Sequence, residues 1–304
     1  MVSWPEKLLS STSATKKVEY ITDEDVWLFY LKPSKRICMI PNFFKTAWRN
    51  LLKGKLQSVI NITGLSIGMA VAVVIGLWIY GEVSFDKSFK NYDRIGQMLQ
   101  NITTNGETST WWSVPYPLAQ EIREHYGSDF KQVVMVIDLG EHDIKYKDKK
   151  LKQSGGYFDP GIKEMLSLTM IRGDKNSLAD PASMLISASA AKAYFGNEDP
   201  INKILQIDDM PVVKVSGVYE DLPKNSTFSE LQFISTVDFH YNNSSWIKGM
   251  DDPWRPNSFR IFVTLNENSD FRSASAKIKD AKLRKVNEQL AKMKPELFLM
   301  PMSK

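Results

Sequence analysis

The sequence predicts an α+β protein with one N-terminal transmembrane helix followed by an extracytoplasmic mixed-sheet domain. Two observations support this fold class. Residues 58–80 form a run of 23 residues without a charge, and further along the chain strand-like and helix-like segments alternate with short turns. Hydrophobic residues make up 43% and charged residues 24% of the 304 residues, which argues against wholesale disorder, collagen and a polytopic membrane protein.

The uncharged segment is long enough to span a membrane. A helix of this length measures roughly 35 Å, and a bilayer's hydrocarbon core is about 30 Å thick. A buried core helix is the first alternative, but such helices carry polar residues along one face, and here these all lie near the start. A cleaved signal peptide is the second alternative. Its apolar core is shorter, and Ala70 and Ala72 lie inside the apolar run, so an uncleaved anchor is favoured.

The flanking charges predict the orientation of the span. Four basic residues and no acidic residue lie between Met39 and Gln57, whereas Glu82 and Asp86 follow the span before the next lysine. Because the basic flank stays in the cytoplasm, the N-terminus is expected inside and the C-terminal part outside. Within the span, Gly64 and Gly68 form a GxxxG pair that would allow close helix packing.

The chain therefore divides into four predicted regions. Residues 1–38 are an atypical N-terminal extension, 39–57 a cytoplasmic basic amphipathic segment, 58–80 the transmembrane helix and 81–304 the exported domain. The change in character at Met39 suggests the hypothesis that translation naturally starts there. Residues 81–304 contain 29 Lys/Arg and 30 Asp/Glu, so the net charge of +4 comes from the cytoplasmic flank and reflects orientation, not polyanion binding.

The exported region has a clear order of predicted elements. A helix is expected over residues 116–126, a strand over 132–137, and a hairpin with arms at 142–146 and 151–153. Ser187 is a candidate N-cap for a helix over 187–195, and Gly196 stands where such a helix would end. Three more strands and a long helix complete the prediction, at residues 203–207, 212–218, 258–265 and 273–292.

Residues suited to catalysis or metal binding are scarce. The single cysteine, Cys38, excludes an intrachain disulfide, and the three histidines are far apart in the sequence. Nucleotide-binding, hydrolase and zinc-protease motifs are absent, so the sequence predicts no enzyme, no cofactor and no metal site. The acid pairs 208–209 and 251–252 are expected to be solvated turns, and His142 an ordinary hairpin residue. The tryptophan-rich stretches 111–112 and 242–254 are candidates either for a ligand site or for core anchors.

Several motifs occur in an order that resembles a known family. The run FFKTAWRNLLKGKLQSVINITGLSIGMAVAVVIGLWIYGEVSFDKSF resembles the first membrane helix of ABC-transporter permeases of the MacB/FtsX type, and most closely the versions abundant in Bacteroidetes. The motifs GYFDP, RGD, the alanine-rich 190–196 segment, DP and GVYEDLPKNSTF fit the family's MacB-like periplasmic core domain. The structural positions that these motifs supply are Gly156, Asp159, Pro160, Gly196, Asp199, Pro200, Gly217, Pro223 and Ser226.

The resemblance implies a function without bond chemistry. A separate cytoplasmic ATPase would bind and hydrolyse ATP, and the permease in the inner membrane would pass its movement to the periplasmic domain for export or mechanotransmission. A second permease copy or the remaining permease helices would be further partners. Family members have at least four membrane helices, so this chain is expected to be the N-terminal part of a permease, truncated before the second membrane helix. Asn202 stands where the family usually has glycine, and the turn is expected to survive.

Two rival functions remain open. A single-pass anchored binding or receptor domain is consistent with one predicted span. An anchored exported enzyme would need a convergent acid–base or nucleophile site, and the sequence offers none.

Overall fold

The computed structural model describes residues 39–174 and 176–303. The extension predicted at residues 1–38 lies outside the described residues. The described chain forms two compact units, and each is described by itself. The boundary between them falls between Ile75 and Gly76, inside a long helix.

Two helices open the described chain: α1 (Met39–Lys53) and α2 (Lys55–Val83), with Gly54 between them. The helical character predicted for the amphipathic segment and for the span is therefore confirmed. α2 buries none of its side chains. A helix that is apolar all round is typical of a membrane span or of a core helix, and α2 is not packed inside the described chain. By length and composition, α2 is the one helix within the described ranges that could cross a membrane.

The second unit is built on one mixed sheet, as the sequence predicts. Eleven strands of the described chain take part in it. Their bounds are β1 Ile95–Thr104, β2 Glu107–Trp111, β3 Phe130–Tyr146, β4 Lys149–Phe158, β5 Met170–Arg172, β6 Ser183–Ser187, β7 Ile204–Ile207, β8 Val212–Tyr219, β9 Phe233–Thr236, β10 Arg260–Leu265 and β11 Glu296–Pro301.

The strand order is β11-β1-β10-β3-β4-β9-β6-β8-β5, with β2 paired to β1 and β7 paired to β3 and β8. The pairs β4–β9 and β6–β8 are parallel, and the other neighbours are antiparallel. β3 occupies the middle of the sheet and is buried on both faces. Its residues Met135 and Ile137 belong to one hydrophobic cluster, and Val134 and Val136 belong to the other. Because alternate side chains of a strand point to opposite faces, β3 separates two cores.

Seven helices cover this sheet in the described part of the chain. They are α3 Leu118–Tyr126, α4 Ile162–Met165, α5 Ala188–Phe195, α6 Val237–Asn243, α7 Ser245–Lys248, α8 Phe271–Ile278 and α9 Glu288–Ala291. α3 and α5 confirm the helices predicted at 116–126 and 187–195. Ser187 is the N-cap of α5, since its Oγ accepts from the Ala190 N–H at 3.2 Å.

The predicted strands and the hairpin are also present. β3 joins the strand predicted at 132–137 to the first hairpin arm, and β4 supplies the second arm. The hairpin register pairs Ile144 with Leu151, and Lys147 in the turn has a φ of 51°. β7, β8 and β10 correspond to the strands predicted at 203–207, 212–218 and 258–265.

The long helix predicted over residues 273–292 is wrong. α8 ends at Ile278, and the chain then turns until α9 begins at Glu288. Asn287 has a φ of −67° and a ψ of 167°, and its side chain accepts from the Leu290 N–H at 3.0 Å. That conformation caps a new helix and cannot continue an old one. Between the two helices Lys282 is drawn into the core, where 3% of it is exposed.

Candidate coupling site in the segment after the apolar helix

The segment that follows α2 is tied to a loop far along the chain. α2 ends at Val83, and the Ser84 N–H still donates to the Tyr80 carbonyl at 3.0 Å. The chain then turns sharply at Asp86, which has a φ of 58°. A non-glycine residue in this left-handed region is uncommon, and aspartate is among those that tolerate it. The turn aims the Asp86 side chain into the domain, where 1% of the residue is exposed.

Asp86 holds the loop that contains Thr227 by three hydrogen bonds. The Asp86 N–H donates to the Asn225 carbonyl at 2.9 Å. In return, Asp86 Oδ1 accepts from the Thr227 N–H and Oδ2 accepts from the Thr227 hydroxyl, each at 2.7 Å. Hydrogen bonds to a carboxylate are stronger than those between neutral groups. We call this arrangement of Ser84, Asp86, Asn225 and Thr227 the Asp86 latch.

Asn225 completes the latch from the loop side. Its Nδ2 group donates to the Ser84 carbonyl at 3.1 Å and to the Ser84 hydroxyl at 3.0 Å. The neighbouring Ser226 hydroxyl donates to the Pro223 carbonyl at 2.8 Å, which closes the loop on itself. Pro223 and Ser226, both predicted motif positions, thus shape the loop that receives the segment after α2.

Aromatic side chains continue the contact into the core. Phe89 and Phe228 are both buried, and their ring centroids lie 6.3 Å apart in an edge-to-face arrangement. Phe228 packs in the same way on Phe262 of β10 at 5.3 Å. A displacement of the segment after α2 would therefore alter contacts both with the loop at 223–228 and with β10.

The latch is a structural connection between two distant stretches of the chain. Both oxygens of the Asp86 carboxylate accept hydrogen bonds from Thr227, and Asp86 itself is buried. Rigid hydrogen-bonded and packed elements are the physical means by which movement at one site reaches another. What the arrangement can do is hold the end of α2 and the loop at 223–228 in one fixed geometry.

The GYFDP motif lies at the end of β4 and contacts the neighbouring strand β3. A Cβ added at Gly156 would stand 3.1 Å from the Ile137 and Asp138 carbonyls, so glycine permits the strands to approach closely. Asp159, next to Pro160, accepts from the Met135 N–H at 2.8 Å and forms an ion pair with Arg123. Burial raises the pKa of Asp159, although Arg123 and the Met135 N–H oppose the shift.

The remaining motif positions shape turns. Gly196 follows α5 with a φ of 61°, and the Asp199 carboxylate beside Pro200 accepts from the Ile201 N–H at 3.0 Å. Asn202 has a φ of 63°, so the turn expected to tolerate asparagine keeps its left-handed conformation. Gly217 lies in β8, where an added Cβ would meet Leu185 Cδ2 at 2.8 Å.

Gly64 and Gly68 belong to α2. A Cβ added at either glycine would meet no atom within 4 Å among the described residues. Their role in helix packing therefore stays a prediction.

The expectation for His142 needs correction, whereas the turn expected at Asp208 is present. His142 is not an ordinary hairpin residue, because it is buried and its Nδ1 lies 2.7 Å from Asp208 Oδ2. Asp208 does lie in a turn, with a φ of 49°, but its Oδ1 also accepts from the Asp143 N–H at 2.9 Å. The sequence could not indicate this pairing because the two residues meet only through the β3–β7 pairing. Within the described ranges no group of three or more His, Cys, Asp or Glu side chains could hold a metal ion.

Residues 58–281 match the family model described as MacB-like periplasmic core domain. The chain belongs to this family. Domains of this family are periplasmic domains of MacB/FtsX-type permeases. The mixed-sheet unit of this chain is such a domain. No curated protein matches the chain.

Solved structures resemble the MacB-like domain. One is a domain assigned to a permease protein from Porphyromonas gingivalis, with a TM-score of 0.59 and 20% identity over 70% of this chain and 91% of that chain. Another is the periplasmic region of MacB from Actinobacillus actinomycetemcomitans, with a TM-score of 0.48 and 15% identity over 71% and 94% of the two chains. A third is the extracellular domain of the noncanonic ABC-type transporter YknZ from Gram-positive bacteria, with a TM-score of 0.47 and 16% identity over 68% and 99%. The first likeness supports the fold of the MacB-like domain.

The sequence motifs contain the latch residues but do not identify the latch. The motif GVYEDLPKNSTF included Asn225 and Thr227, and the run SFDKSF included Asp86. Nothing in either run showed that they bind each other, because 141 positions separate Asp86 from Thr227. The signal that could have pointed to Asp86 is a lone acidic residue between aromatic residues directly after a span.

Proposed function

We propose that this chain is the permease component of an ABC transporter, coupling ATP hydrolysis by a separate cytoplasmic ATPase to movement of its periplasmic domain. The observation that carries the proposal is the Asp86 latch: the segment leaving a membrane-length helix is hydrogen-bonded into the MacB-like domain. A movement of this helix would reach the loop at 223–228 without a flexible linker in between. The movement of the periplasmic domain would serve export of a substrate or mechanotransmission to a periplasmic partner.

The path of the last strand supports the same proposal. β11 runs antiparallel to β1 and pairs Pro301 with Gly96. The Met302 N–H then donates to the Ile95 carbonyl at 2.9 Å. The domain's last strand therefore ends beside the start of its first strand. A domain whose entry and exit lie side by side can be held between two membrane helices, which is the arrangement that a permease requires.

The proposal assigns partners and location. ATP would be bound by the partner ATPase, and this chain would carry no cofactor. The chain would lie in the inner membrane with its N-terminus in the cytoplasm and residues 81–304 in the periplasm, consistent with the basic flank before the span. Gly64 and Gly68 would receive a second permease copy or the remaining permease helices. The closer resemblance to versions from Bacteroidetes belongs to this proposal as well.

A single-pass anchored binding domain is the second candidate. It is favoured by the single membrane-length helix among the described residues and by an open polar cleft described below. In this case no ATPase would be needed.

The deciding experiment is affinity purification of the tagged full chain from native membranes, followed by mass spectrometry. We expect an ABC ATPase to copurify. Gly64→Leu together with Gly68→Leu should reduce recovery of permease partners, whereas Ala70→Leu, a small residue on the opposite side of the helix, should not. Recovery of the chain without any ATPase would contradict the permease proposal and favour the anchored binding domain.

A second experiment tests the coupling. Hydrogen exchange of the Thr227 amide, which is bonded to Asp86, would be compared in the purified complex with and without ATP and vanadate. Coupling predicts a change in protection at residues 225–228 when the ATPase is trapped. Identical exchange in both states, with the ATPase bound, would contradict transmission through the latch.

A further inference from the structure

A cleft of about 290 Å³ lies on the MacB-like domain, and none of the latch residues lines it. Its lining is mainly polar and comes from three separate stretches of chain. Trp112 and Ser113 follow β2, Asp138 lies in β3, and Asn257, Ser258 and Arg260 lead into β10. Clefts with a few convergent polar groups are the usual form of small-molecule sites.

Backbone hydrogen bonds fix the walls of this cleft. The Val114 N–H donates to the Phe259 carbonyl at 2.7 Å, and the Phe259 N–H donates to the Val114 carbonyl at 3.1 Å. In the sheet, Arg260 pairs with Val136 of β3. The cleft is therefore shaped by the sheet itself, so little ordering is needed before a ligand binds.

Asp138 is held in an unusual conformation at the edge of the cleft. Its φ is 50°, and it lies where the β3–β4 register shifts at a bulge. Bulges and left-handed non-glycine residues occur often at functional sites, where they redirect a side chain. The His142 Nε2 lies 2.8 Å from the Asp138 carbonyl and anchors the backbone, while the carboxylate accepts no hydrogen bond from the described residues. Its side chain is 59% exposed.

His240 is a titratable group close to this carboxylate, with its Nε2 4.0 Å from Asp138 Oδ2. Burial lowers the pKa of His240 from its ordinary value of 6.5, so the imidazole is neutral at pH 7. The Asp138 carboxylate is therefore left as an acceptor with free lone pairs.

Trp112 and Arg260 also line the cleft. The Arg260 guanidinium lies 5.1 Å from the centre of the Trp112 ring, in a cation–π contact. Trp112 nevertheless has 63% of its surface exposed. Among the described residues, Arg260 takes part in no ion pair and Trp112 Nε1 donates no hydrogen bond. The cleft thus offers an apolar ring face with donors around it.

Asn257 supplies a donor of defined orientation. The Lys282 ammonium, which can only donate, is bonded to Asn257 Oδ1 at 2.8 Å and to Gln100 Oε1 at 2.6 Å. This contact turns the Asn257 Nδ2 group away from Lys282, and no described residue accepts from it. The buried Lys282 therefore fixes the orientation of the Asn257 side chain and leaves its Nδ2 group without an acceptor in the described chain.

We propose that this cleft binds a neutral saccharide, with a sugar ring against Trp112 and its hydroxyls bonded to Asp138, Asn257 and Arg260. The combination of groups selects this class. A mostly polar lining does not suit an apolar ligand, and a single carboxylate does not suit a metal ion. A sugar ring has an apolar C–H face for the indole, and its hydroxyls both donate and accept. They can therefore satisfy the Asp138 acceptor and the Asn257 and Arg260 donors together.

The test uses the full chain in phospholipid nanodiscs, because maltoside and glucoside detergents would compete as sugars. Binding of maltotetraose and of an N-acetylglucosamine tetrasaccharide is followed by ligand-observed NMR. An end-blocked Gly-Ala tetrapeptide serves as the contrasting probe. We expect saturable binding of at least one saccharide and none of the peptide. Absence of saccharide binding, or binding of the peptide instead, overturns the proposal.

The variants localise the binding. Trp112→Ala should weaken saccharide binding about tenfold or more, and Asp138→Asn should weaken it by a smaller factor because one acceptor becomes a donor. Trp111→Ala is the matched control. Its indole is also exposed, but its Nε1 donates to Ser109 Oγ at 2.9 Å outside the cleft. Equal losses in Trp111→Ala and Trp112→Ala overturn the assignment to this cleft. Saccharide binding does not require an ATPase, so this experiment tests the cleft independently of the proposed function.

Discussion

Two aspartates of the same domain adopt similar backbone conformations but lie in opposite surroundings. Asp86 has a φ of 58° and Asp138 a φ of 50°. Asp86 is 1% exposed, and both of its carboxylate oxygens are bonded to Thr227. The Asp138 side chain is 59% exposed and accepts no hydrogen bond from the described residues.

The comparison separates two uses of a residue in the left-handed conformation. At Asp86, in a turn, this conformation places a carboxylate where donors of the chain itself satisfy it, so the result is a fixed connection. At Asp138, in a bulge of β3, it places a carboxylate where nothing in the described chain satisfies it, so the group is available to a ligand. Unusual backbone conformations persist where the surroundings determine them, and only the hydrogen-bond partners reveal which use applies.

The largest effect is expected from Asp86→Ala. It removes both hydrogen bonds that the Asp86 carboxylate accepts from Thr227 and puts alanine at a positive φ, so the free energy of unfolding should fall by about 2 kcal/mol. Asp138→Ala is the matched control, because it shares the backbone cost but removes no hydrogen bond, and it should cost about 1 kcal/mol. Pulse proteolysis of the full chain in nanodiscs with increasing urea measures both. Equal losses would show that the latch hydrogen bonds contribute nothing.

A smaller effect is expected at Lys282, which connects the core to the open cleft. Burial lowers its pKa to about 8 from 10.5. Between these values the unfolded chain binds more protons than the folded chain, so stability from this group increases as the pH rises through 8. From pH 7 to pH 9 the gain should be about 1 kcal/mol.

The control for Lys282 is a difference between variants. Lys282→Met should remove the gain measured between pH 7 and pH 9 by urea unfolding. Lys279→Met should retain it, because Lys279 is half-exposed and its pKa is raised by Glu296. If the free energies of unfolding of the wild type and of Lys282→Met change equally between pH 7 and pH 9, Lys282 stays charged in the folded protein throughout that range, and the prediction is wrong.

The smallest effect is expected from Asn202→Gly. Asn202 shares the positive φ of the two aspartates, at 63°, but in the described chain only its N–H is bonded, to the Val215 carbonyl at 2.8 Å. Glycine removes the steric cost and adds backbone entropy to the unfolded chain, so stability should change by less than about 0.5 kcal/mol. A thermal shift of the full chain in nanodiscs measures it. A loss comparable to that of Asp86→Ala would mean that the turn itself, and not its hydrogen bonds, carries the energy.

Local signals predicted most elements of the fold. The apolar run predicted α2, Ser187 and Gly196 predicted the two ends of α5, and alternating residues predicted the β3–β4 hairpin. The failure at residues 273–292 has a local cause as well. A continuous apolar periodicity spanned Asn287, whose role as an N-cap depends on a side-chain hydrogen bond that periodicity does not report.

The sequence by itself determined the membrane-length helix, the family and most strands, because each depends on neighbours within a few residues. Only the tertiary structure decided which residues that are distant in the sequence contact each other. It brought Asp86 to Thr227 and placed Asp138 beside Trp112 and Arg260. It also buried Lys282 against Gln100 and Asn257. These pairings depend on strand order and register, which long-range packing sets and which no short stretch of sequence contains.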